Sequence, residues 1–344
     1  MAVRKIAVDP GFGNYKIAES NGTVQSHWFP AAVGLGRRAD LAAVNVGVTG
    51  RSKRVEPWQV EFEDGNAYQV GHNLHYYTKP EPRTGYEALA EGGAIKALTY
   101  AALAQLGADY TADVVVAWPV GLLTNKELFG RLKASFRDWF RAEHRFLVDG
   151  HEHRVVIRQV RLRPQPFGTY SAFLLNEKGH IKNKADWAAP VGVIDLGHNT
   201  LDLFALQGGN LIERFTVGDE RGVHIVADRL MQEAMRYRVS LTQHEASALI
   251  EQHVAGQEAL LYHPAGTETM NPLIEAALND LYAEVAEFIK IHFRGAGIRY
   301  LILTGGGAAA LRSKFERSMP AAIQMSDPVA ANAIGMAKYA NGLD

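Results

Sequence analysis

The feature that most constrains the fold of this chain is a short pattern that occurs twice. The segment IAVDPGFGNYKIA begins at Ile6, and GVIDLGHNTLDLF begins at Gly192. Each consists of an apolar strand, an aspartate, one further residue, a glycine, a polar turn and a second apolar strand. A single turn of this kind is weak evidence, because aspartate and glycine dominate ordinary turns. Two such hairpins in matching places, with Asp9 and Asp195 in equivalent positions, predict a duplicated domain.

The chemistry of the two turns favours phosphate binding. Gly11, Gly13 and Gly197 allow backbone N–H groups to approach an anion closely. An aspartate would repel phosphate directly, so we expect both aspartates to hold Mg²⁺ through water, because Mg²⁺ retains much of its hydration shell. Lys16 would add positive charge near the β- or γ-phosphate. The alternatives are a plain β-hairpin for each loop and a solvated strand residue for Lys16.

A third glycine-rich loop lies near the end of the chain. In LILTGGGAAAL, Gly305, Gly306 and Gly307 stand between a predicted buried strand and a helix. A backbone without side chains allows a flat base and ribose to lie against it. A strand–glycine–helix unit also fits a dinucleotide-binding fingerprint, but the G-x-G-x-x-G spacing is absent. We therefore expect adenosine at this loop.

Length and composition narrow the class of protein. A chain of 344 residues is long for one core, so two lobes or domains are expected. The net charge of −1 argues against a general nucleic-acid coat or a binder of anionic membranes. The absence of cysteine excludes disulfides, thiolate metal sites and a cysteine nucleophile, and is compatible with a reducing cytosol. Without a recognisable signal peptide or a run of eighteen apolar residues, the sequence predicts a cytoplasmic protein.

Patterning along the chain predicts alternating strands and helices. A β-rich segment covers about residues 29–84, with a hairpin turn at Asp64-Gly65. A loop is expected at residues 261–272. A closing helix is expected to begin at a cap formed by Ser326 or Asp327, with Pro328 in its first turn. Other helices are expected at residues 86–106, 124–140, 219–236, 242–251 and 271–293.

With the three glycine loops in this order, the chain resembles the actin-like ATPases, within the superfamily that also holds sugar kinases and seventy-kilodalton chaperones. DPGFGNYK (residues 9–16) is similar to the first phosphate loop of that family, D-x-G-x-x-x-x-K. DLGHNTLD (residues 195–202) is similar to the second, in the D-x-G-x-x-T-x-D form typical of the ParM-like branch. LTGGGAAAL looks like the adenosine motif, and DPVAANAIGMAKYA looks like the closing connecting helix. FPAAVG, YQVGHNL and VVVAWPVGLLTNK also resemble ParM-like plasmid-segregation actins and their archaeal relatives, so the resemblance covers essentially the whole chain.

The resemblance implies an α/β, two-lobed actin-like ATPase fold. Each lobe would have a ribonuclease-H-like core, with ATP or ADP and Mg²⁺ in the cleft between the lobes. The first lobe is expected at residues 1–175, with a small β-rich subdomain at about 30–84. The second is expected at 176–325, with a helical subdomain at about 223–295. Residues 326–344 would form a C-terminal helix that packs back on the first lobe.

The resemblance also implies the residues of the site. In this family a polar residue in the first connecting segment orients the attacking water, and the matching position in RLRPQPFGTYSAFLL is Gln165. ParM-like proteins often carry glutamate there; glutamine is not a strong base, but it can position water. The alternative is a turn residue between two prolines. His198 stands where small or hydroxyl-bearing residues are common, and its imidazole would either donate to a phosphate or face solvent. The expected catalytic residues are Gln165, Asp9 and Asp195, the two aspartates also holding Mg²⁺, and the expected nucleotide-binding residues are Gly11, Gly13, Asn14, Lys16, Gly197, His198, Asn199, Thr200, Asp202, Gly305, Gly306, Gly307 and Asn332.

The leading hypothesis for the function is an actin-like ATPase that polymerises head to tail into ATP-dependent cytoskeletal filaments, for segregation of plasmid or other DNA. A DNA-binding adaptor protein would then be a partner, and the chain itself would contact neither nucleic acid nor membrane. Two alternatives are a small-molecule kinase of the same superfamily, with a carboxylate as base, and a nucleotide-gated binding module that does not polymerise. His151 and His153 lie in a charged hairpin without a third ligand, so they are interpreted as surface residues.

Overall fold

The computed structural model describes residues 2–38, 55–83 and 85–343, which fold into two α/β lobes, each built on its own sheet. The β-rich segment expected at about residues 30–84 lies partly outside the described residues, at 39–54 and 84. Among the described residues, no helix combines the length and the apolar character needed to cross a membrane.

The first lobe contains a long mixed sheet. In the described part its strands follow the order β3-β2-β1-β7-β9-β8-β5-β6-β4. The strands are β1 (Arg4–Pro10), β2 (Asn14–Ser20), β3 (Val24–Pro30), β4 (Val33–Leu35), β5 (Trp58–Phe62), β6 (Ala67–Val70), β7 (Asp109–Trp118), β8 (Glu143–Val148) and β9 (His151–Pro164). The helices are α1 (Gly93–Ala104), α2 (Val120–Thr124), α3 (Lys126–Phe140) and α4 (Gln165–Leu174), with 3₁₀ turns at Leu74–Tyr76 and Tyr86–Leu89.

The apolar strand β7 lies at the centre of this lobe because both of its faces are covered. Val114 and Val116 face the core beneath α1 and α3, whereas Val115 and Ala117 face a second cluster on the opposite side. A strand buried on both faces reads as a continuous apolar run rather than an alternating one. The predicted turn at Asp64-Gly65 is confirmed, since it joins the antiparallel strands β5 and β6.

The second lobe repeats the central arrangement of the first. Its sheet has the order β12-β11-β10-β16-β17, with β13 added to β11. The strands are β10 (Val191–Leu196), β11 (Leu201–Gln207), β12 (Asn210–Leu211), β13 (Val217–Asp219), β14 (Leu260–His263), β15 (Gly266–Thr269), β16 (Tyr300–Thr304) and β17 (Ile323–Gln324). The helices are α5 (Lys184–Ala188), α6 (His224–Arg236), α7 (Gln243–Val254), α8 (Asn271–His292), α9 (Gly306–Ala310), α10 (Arg312–Ser318) and α11 (Ala331–Asn341), with a 3₁₀ turn at Glu213–Phe215.

The repeat is visible in the strand pairing. In the first lobe β1 pairs antiparallel with β2 and parallel with β7, and in the second β10 pairs antiparallel with β11 and parallel with β16. Both hairpins therefore point their turns toward the same end of their sheets, at the carboxyl ends of the parallel strands. In α/β sheets this is the end where ligands bind.

Helix α11 returns from the second lobe to the first. Ala333 and Met336 pack against Ala7 and Val115 of the first sheet. The helix crosses α4 closely, and a Cβ on Gly335 would overlap the backbone of α4. The division of the chain at residues 175 and 325 stays a prediction.

Several expected element boundaries are wrong. The closing helix begins at Ala331 rather than near Pro328, because the carbonyl of Pro328 accepts a hydrogen bond from the amide of Gly305 and is not part of a helix. The helix expected at residues 86–106 is a 3₁₀ turn followed by α1, separated by Gly92 at a φ of 89°. Residues 261–272 are not a plain loop, since they contain most of the β14–β15 hairpin. The helix expected from residue 219 begins at His224, because residues 217–219 pair with β11 as strand β13.

Candidate nucleotide site

The first aspartate lies near the end of β1, where the β1–β2 pairing places it directly opposite Lys16. Asp9 is completely buried, and its Oδ2 lies 3.1 Å from Lys16 Nζ. Gln165, the first residue of α4, donates a hydrogen bond from Nε2 to Asp9 Oδ1 at 2.7 Å. No described residue donates a well-oriented hydrogen bond to Oδ2. The charge of this carboxylate is therefore balanced, while one of its oxygens can still accept a donor.

The second aspartate occupies the same position in its own hairpin, but its partner is acidic. The β10–β11 pairing places Asp195 opposite Asp202, and both side chains are buried. Burial raises the pKa of Asp195 to about 6, against the hydrogen bond from Asn332 and together with the negative charge of Asp9. Burial and then the charge of Asp195 hold the pKa of Asp202 well above its ordinary value. This hairpin brings two carboxylates into one buried region.

Asp202 also joins the two lobes. Its Oδ2 accepts a hydrogen bond from the backbone N–H of Val120, the first residue of α2, at 3.2 Å. Its Oδ1 is buried and has no hydrogen-bond partner among the described residues. A buried carboxylate oxygen without a donor is costly, so the site has the capacity for a further cation or donor at this atom.

Helix α4 connects the two aspartates. Gln165 reaches Asp9, and one turn later Thr169 donates from Oγ1 to Asn332 Oδ1 at 2.8 Å. Asn332 in turn donates from Nδ2 to Asp195 Oδ2 at 2.6 Å. The amide of Thr169 also donates to Asn332 Oδ1. One helix of the first lobe thus fixes, through α11, the carboxylate of the second.

The two turns offer backbone amides that are not otherwise used. The amides of Gly11 and Gly197 are already hydrogen-bonded within their own turns, to Asp9 O at 3.0 Å and to Thr200 O at 2.8 Å. These two glycines therefore shape the turns rather than supply free donors. The amides without a hydrogen bond among the described residues include those of Phe12 and Gly13 in the first turn and of His198 and Asn199 in the second.

The turns approach each other through Gly13 and His198. A Cβ on Gly13 would lie only 2.7 Å from His198 Cβ, so glycine is needed there to let the lobes meet. His198 is half-buried between the turns rather than facing solvent. Burial, and then the proximity of His224, lowers the pKa of His198 to about 4, so its imidazole is neutral at physiological pH. A neutral imidazole adds a polar group without charge beside the four amides.

The third glycine loop follows β16, directly behind the second hairpin. Gly305 has a φ of 93°, and a Cβ there would lie 2.7 Å from Asp195 Oδ1. A Cβ on Gly307 would lie 2.6 Å from Leu196 Cγ, whereas one on Gly306 would meet nothing within 4 Å. Gly305 and Gly307 are therefore required by packing on β10, and Gly306 is the glycine of this loop that faces open space.

The remaining expected residues are placed as follows. Asn14 is the first residue of β2, and Thr200 is buried just before β11. His151 is exposed, and His153 stacks on Phe146. In the described part of the chain, no three histidine, aspartate or glutamate side chains converge to hold a metal ion directly.

Sequence reasoning missed two threonines of this site. Thr169 holds Asn332, and its hydroxyl lies 3.1 Å from that of Thr304, the last residue of β16. Both threonines are completely buried. The signal for Thr169 was its position four residues after Gln165, which places both on one face of α4. Thr304 directly precedes the glycine loop.

The chain is similar to actin-like proteins. A family model described as the N-terminal domain of actin-like proteins matches residues 7–168. The structure superimposes on a non-polymerisable quadruple mutant of pCBH ParM with a TM-score of 0.77, at 16% identity over 98% of this chain and 99% of that one. For a 15-stranded ParM filament from Clostridium botulinum the TM-score is 0.72, at 16% identity over 99% of both chains. For an archaeal actin homologue in complex with ADP it is 0.67, at 17% identity over 99% of this chain and 98% of that one. Among curated protein sequences, none matches this chain.

These similarities define the class of protein. Residues 7–168 match the family model of the actin-like N-terminal domain, and the chain as a whole has the two-lobed actin-like fold. The solved structures of a ParM protein and of an archaeal actin homologue have the same fold.

Proposed function

We propose that this chain is an ATPase that binds ATP or ADP with Mg²⁺ between its lobes and assembles into filaments whose stability depends on the bound nucleotide. The observation that carries the proposal is the facing pair of hairpins. Each presents two unused backbone amides and one buried aspartate at the meeting point of the lobes. The similar archaeal actin homologue in complex with ADP supports nucleotide binding.

The residues present fit a nucleotide. Four unused amides, two from each lobe, are donors of the kind that holds phosphate oxygens. Lys16, whose Nζ lies 3.1 Å from Asp9 Oδ2, would add charge on the side of the first lobe. On the side of the glycine loop, Gly306 leaves open the space in which a ribose and base would lie.

The residues also fit Mg²⁺ held through water. Asp9 Oδ2 and Asp202 Oδ1 are buried carboxylate oxygens without a hydrogen bond from any described residue. Three buried aspartates in one region carry more negative charge than Lys16 alone neutralises. Because no three of these groups converge as direct ligands, the carboxylates would contact the ion through its water shell.

The chain contributes positioning and electrostatics to phosphoryl transfer, while the bound nucleotide and Mg²⁺ supply the reacting group and the neutralising charge. The Oε1 atom of Gln165 accepts no hydrogen bond from the described residues, so it is available to accept one from water. Its Nε2 is occupied by Asp9, which fixes the orientation of the amide. Thr169 and Asn332 hold the Asp195 carboxylate in one orientation.

Assembly into filaments is the further part of the proposal. The similar ParM from Clostridium botulinum forms a 15-stranded filament, which supports self-association of this fold. A head-to-tail contact that does not close on itself gives an open helical polymer. We propose a cytoplasmic filament that moves plasmid or other DNA through a DNA-binding adaptor protein.

Right-angle light scattering with parallel pelleting tests this function, with ATP, ADP or no nucleotide in the presence of Mg²⁺. We expect scattering to rise with ATP, and the protein to pellet, followed by decay as phosphate is released. A flat trace over a wide concentration range would contradict filament formation. ATP turnover that requires an added metabolite would instead indicate a kinase, and ATP binding by a persistent monomer would indicate a nucleotide-gated binding module.

A further inference from the structure

A groove on the first lobe runs along the second half of β9. On the side away from β7, β9 pairs with β8 only as far as Val156. The amide of Ile157 still donates to Ala142 O, and Arg141 Nε donates to Arg158 O. Beyond that point no described strand pairs with this side of β9, and helix α3 flanks it instead. Between them lies a groove of about 360 Å³, here called the β9–α3 groove.

The walls of the β9–α3 groove are basic, and its floor is apolar. Lys133 and Arg137 of α3 and Arg161 and Arg163 of β9 line the walls, and Val160 and Leu162 lie between them. No carboxylate lines the groove among the described residues. In a chain with a net charge of −1, this is a local concentration of positive charge.

The cations of the groove lack the acidic partners that other arginines of the same sheet have. Arg154 pairs with Glu143, and Arg158 pairs with Asp113. By contrast, Arg137 and Arg161 make no ion pair or side-chain hydrogen bond with any described residue.

The other two cations of the groove interact with neutral groups. Lys133 lies over the ring of Phe129, 5.5 Å from its centroid. Arg163 donates to Leu162 O and to the hydroxyl of Tyr339. None of the four cations is therefore neutralised within the described part of the chain.

We propose that the β9–α3 groove binds an extended acidic peptide segment of a partner protein, which adds a strand to the open side of β9. An unpaired strand edge offers a row of main-chain donors and acceptors, and β-strand addition uses them for affinity. Successive side chains of the added strand alternate between faces. Carboxylates on one face would meet Arg161 and Arg163, and those on the other would meet Lys133 and Arg137.

A peptide fits the groove better than a nucleic acid does. Single-stranded nucleic acids rely on aromatic platforms for stacking. Phe129 is the aromatic residue that lines the groove, and Lys133 covers its ring. The open strand edge provides main-chain hydrogen bonds in the spacing of an extended polypeptide. The proposal does not depend on nucleotide binding or on polymerisation.

Fluorescence anisotropy tests the proposal with the full chain. The probe is a fluorescein-labelled peptide of about eight residues in which pairs of glutamates alternate with pairs of valines, so that carboxylates lie on both faces of the added strand, and its length matches one strand. The variant R137Q/R161Q removes the two unpaired cations. The control R145Q/R312Q removes two exposed arginines outside the groove, so the net charge changes equally. Thermal melting checks that both variants remain folded.

We expect saturable binding by the parent chain, a loss of at least about tenfold in affinity for R137Q/R161Q, and at most a small loss for R145Q/R312Q. A peptide methylated at alternate backbone amides keeps its charge but cannot pair with β9, and should bind at least about tenfold more weakly. No saturable binding by the parent, or equal losses in both double variants, overturns the proposal. Equal binding of the methylated peptide, or of an oligothymidine of matched charge, also overturns it, because the groove would then be a general polyanion surface.

Discussion

The two hairpins have the same backbone plan and opposite electrostatics. In the first, Asp9 stands opposite Lys16, and the pair is neutral. In the second, Asp195 stands at the equivalent position opposite Asp202, so two buried carboxylates share one hairpin. The position that pairs with the turn aspartate is therefore a lysine in the first hairpin and an aspartate in the second.

The two hairpins have the same backbone arrangement, but they differ in the net charge of their buried side chains. The first hairpin is balanced without any ligand, whereas the second carries charge that burial makes unfavourable. The raised pKa values of Asp195 and Asp202 are the signature of that imbalance. We infer that the second hairpin has the stronger demand for a bound cation.

Removing the aspartate of either hairpin should have the largest effect. We expect D9A and D195A each to reduce the rate of ATP hydrolysis by about 100-fold or more, because each removes a buried group from the expected Mg²⁺ site. Phosphate release at saturating ATP measures the rate, and circular dichroism confirms folding. If either folded variant hydrolysed ATP like the parent, its aspartate would have no role in catalysis.

Removing the cation of the first hairpin should make it resemble the second. We expect K16M to lower the free energy of unfolding by about 3 kcal/mol, because it leaves Asp9 buried without its ion-pair partner. Urea denaturation without nucleotide measures the change. Lys5, near the start of β1, pairs with Asp113 at 3.4 Å. K5M therefore serves as a control, with a smaller expected loss in the free energy of unfolding. Equal losses in the two variants would mean that the Asp9–Lys16 pair is not special.

Neutralising Asp202 in the second hairpin should change the free energy of unfolding less than K16M does, and in the opposite direction. We expect D202N to raise the free energy of unfolding of the nucleotide-free protein by about 1 kcal/mol, because the amide keeps an acceptor for the Val120 N–H and removes a buried like charge. Thermal and urea denaturation measure the gain. A decrease in stability would show that the Asp202 charge is already compensated.

The lobes also meet through histidines, which distinguishes this contact from the buried carboxylates of the two hairpins. His75, beyond β6 of the first lobe, lies against His244 of α7, with ring centroids 5.2 Å apart. Burial, and then His75, lowers the pKa of His244 to about 4 from 6.5. The folded state therefore binds fewer protons than the unfolded state, and the stability that this group provides above about pH 6.5 is lost as the pH falls toward 4.

We expect this loss to be about 1 kcal/mol, reduced by the partial exposure of the side chain. The measurement is the free energy of unfolding of the parent and of H244Q as a function of pH, with H263Q as a matched control. The H244Q profile should be flatter than that of the parent and flatter than that of H263Q. Parallel profiles for the parent and H244Q would exclude a role for this contact.

The sequence predicted the parts of the site that depend on local pattern. The repeated strand–aspartate–glycine turn indicated both hairpins, and the number of residues in each turn determines which side chains stand opposite each other. Local pattern does not indicate Thr169 and Thr304, because their hydrogen bonds form only when α4, α11 and β16 pack together. The predicted start of α11 is wrong for a similar reason, since the carbonyl of Pro328 accepts a hydrogen bond from the amide of Gly305, a residue distant in sequence.

Helix α4 determines which hydrogen bonds must break when the two lobes separate. Gln165 and Thr169 are one helical turn apart, which fixes about 6 Å between their backbone positions. At one end α4 is tied to Asp9 of its own lobe, and at the other, through Asn332, to Asp195 of the second. The link to Asp9 lies within the first lobe, whereas the link through Asn332 to Asp195 joins the two lobes. Any separation of the lobes at this point must therefore break the hydrogen bonds of Asn332, while Gln165 can stay on Asp9.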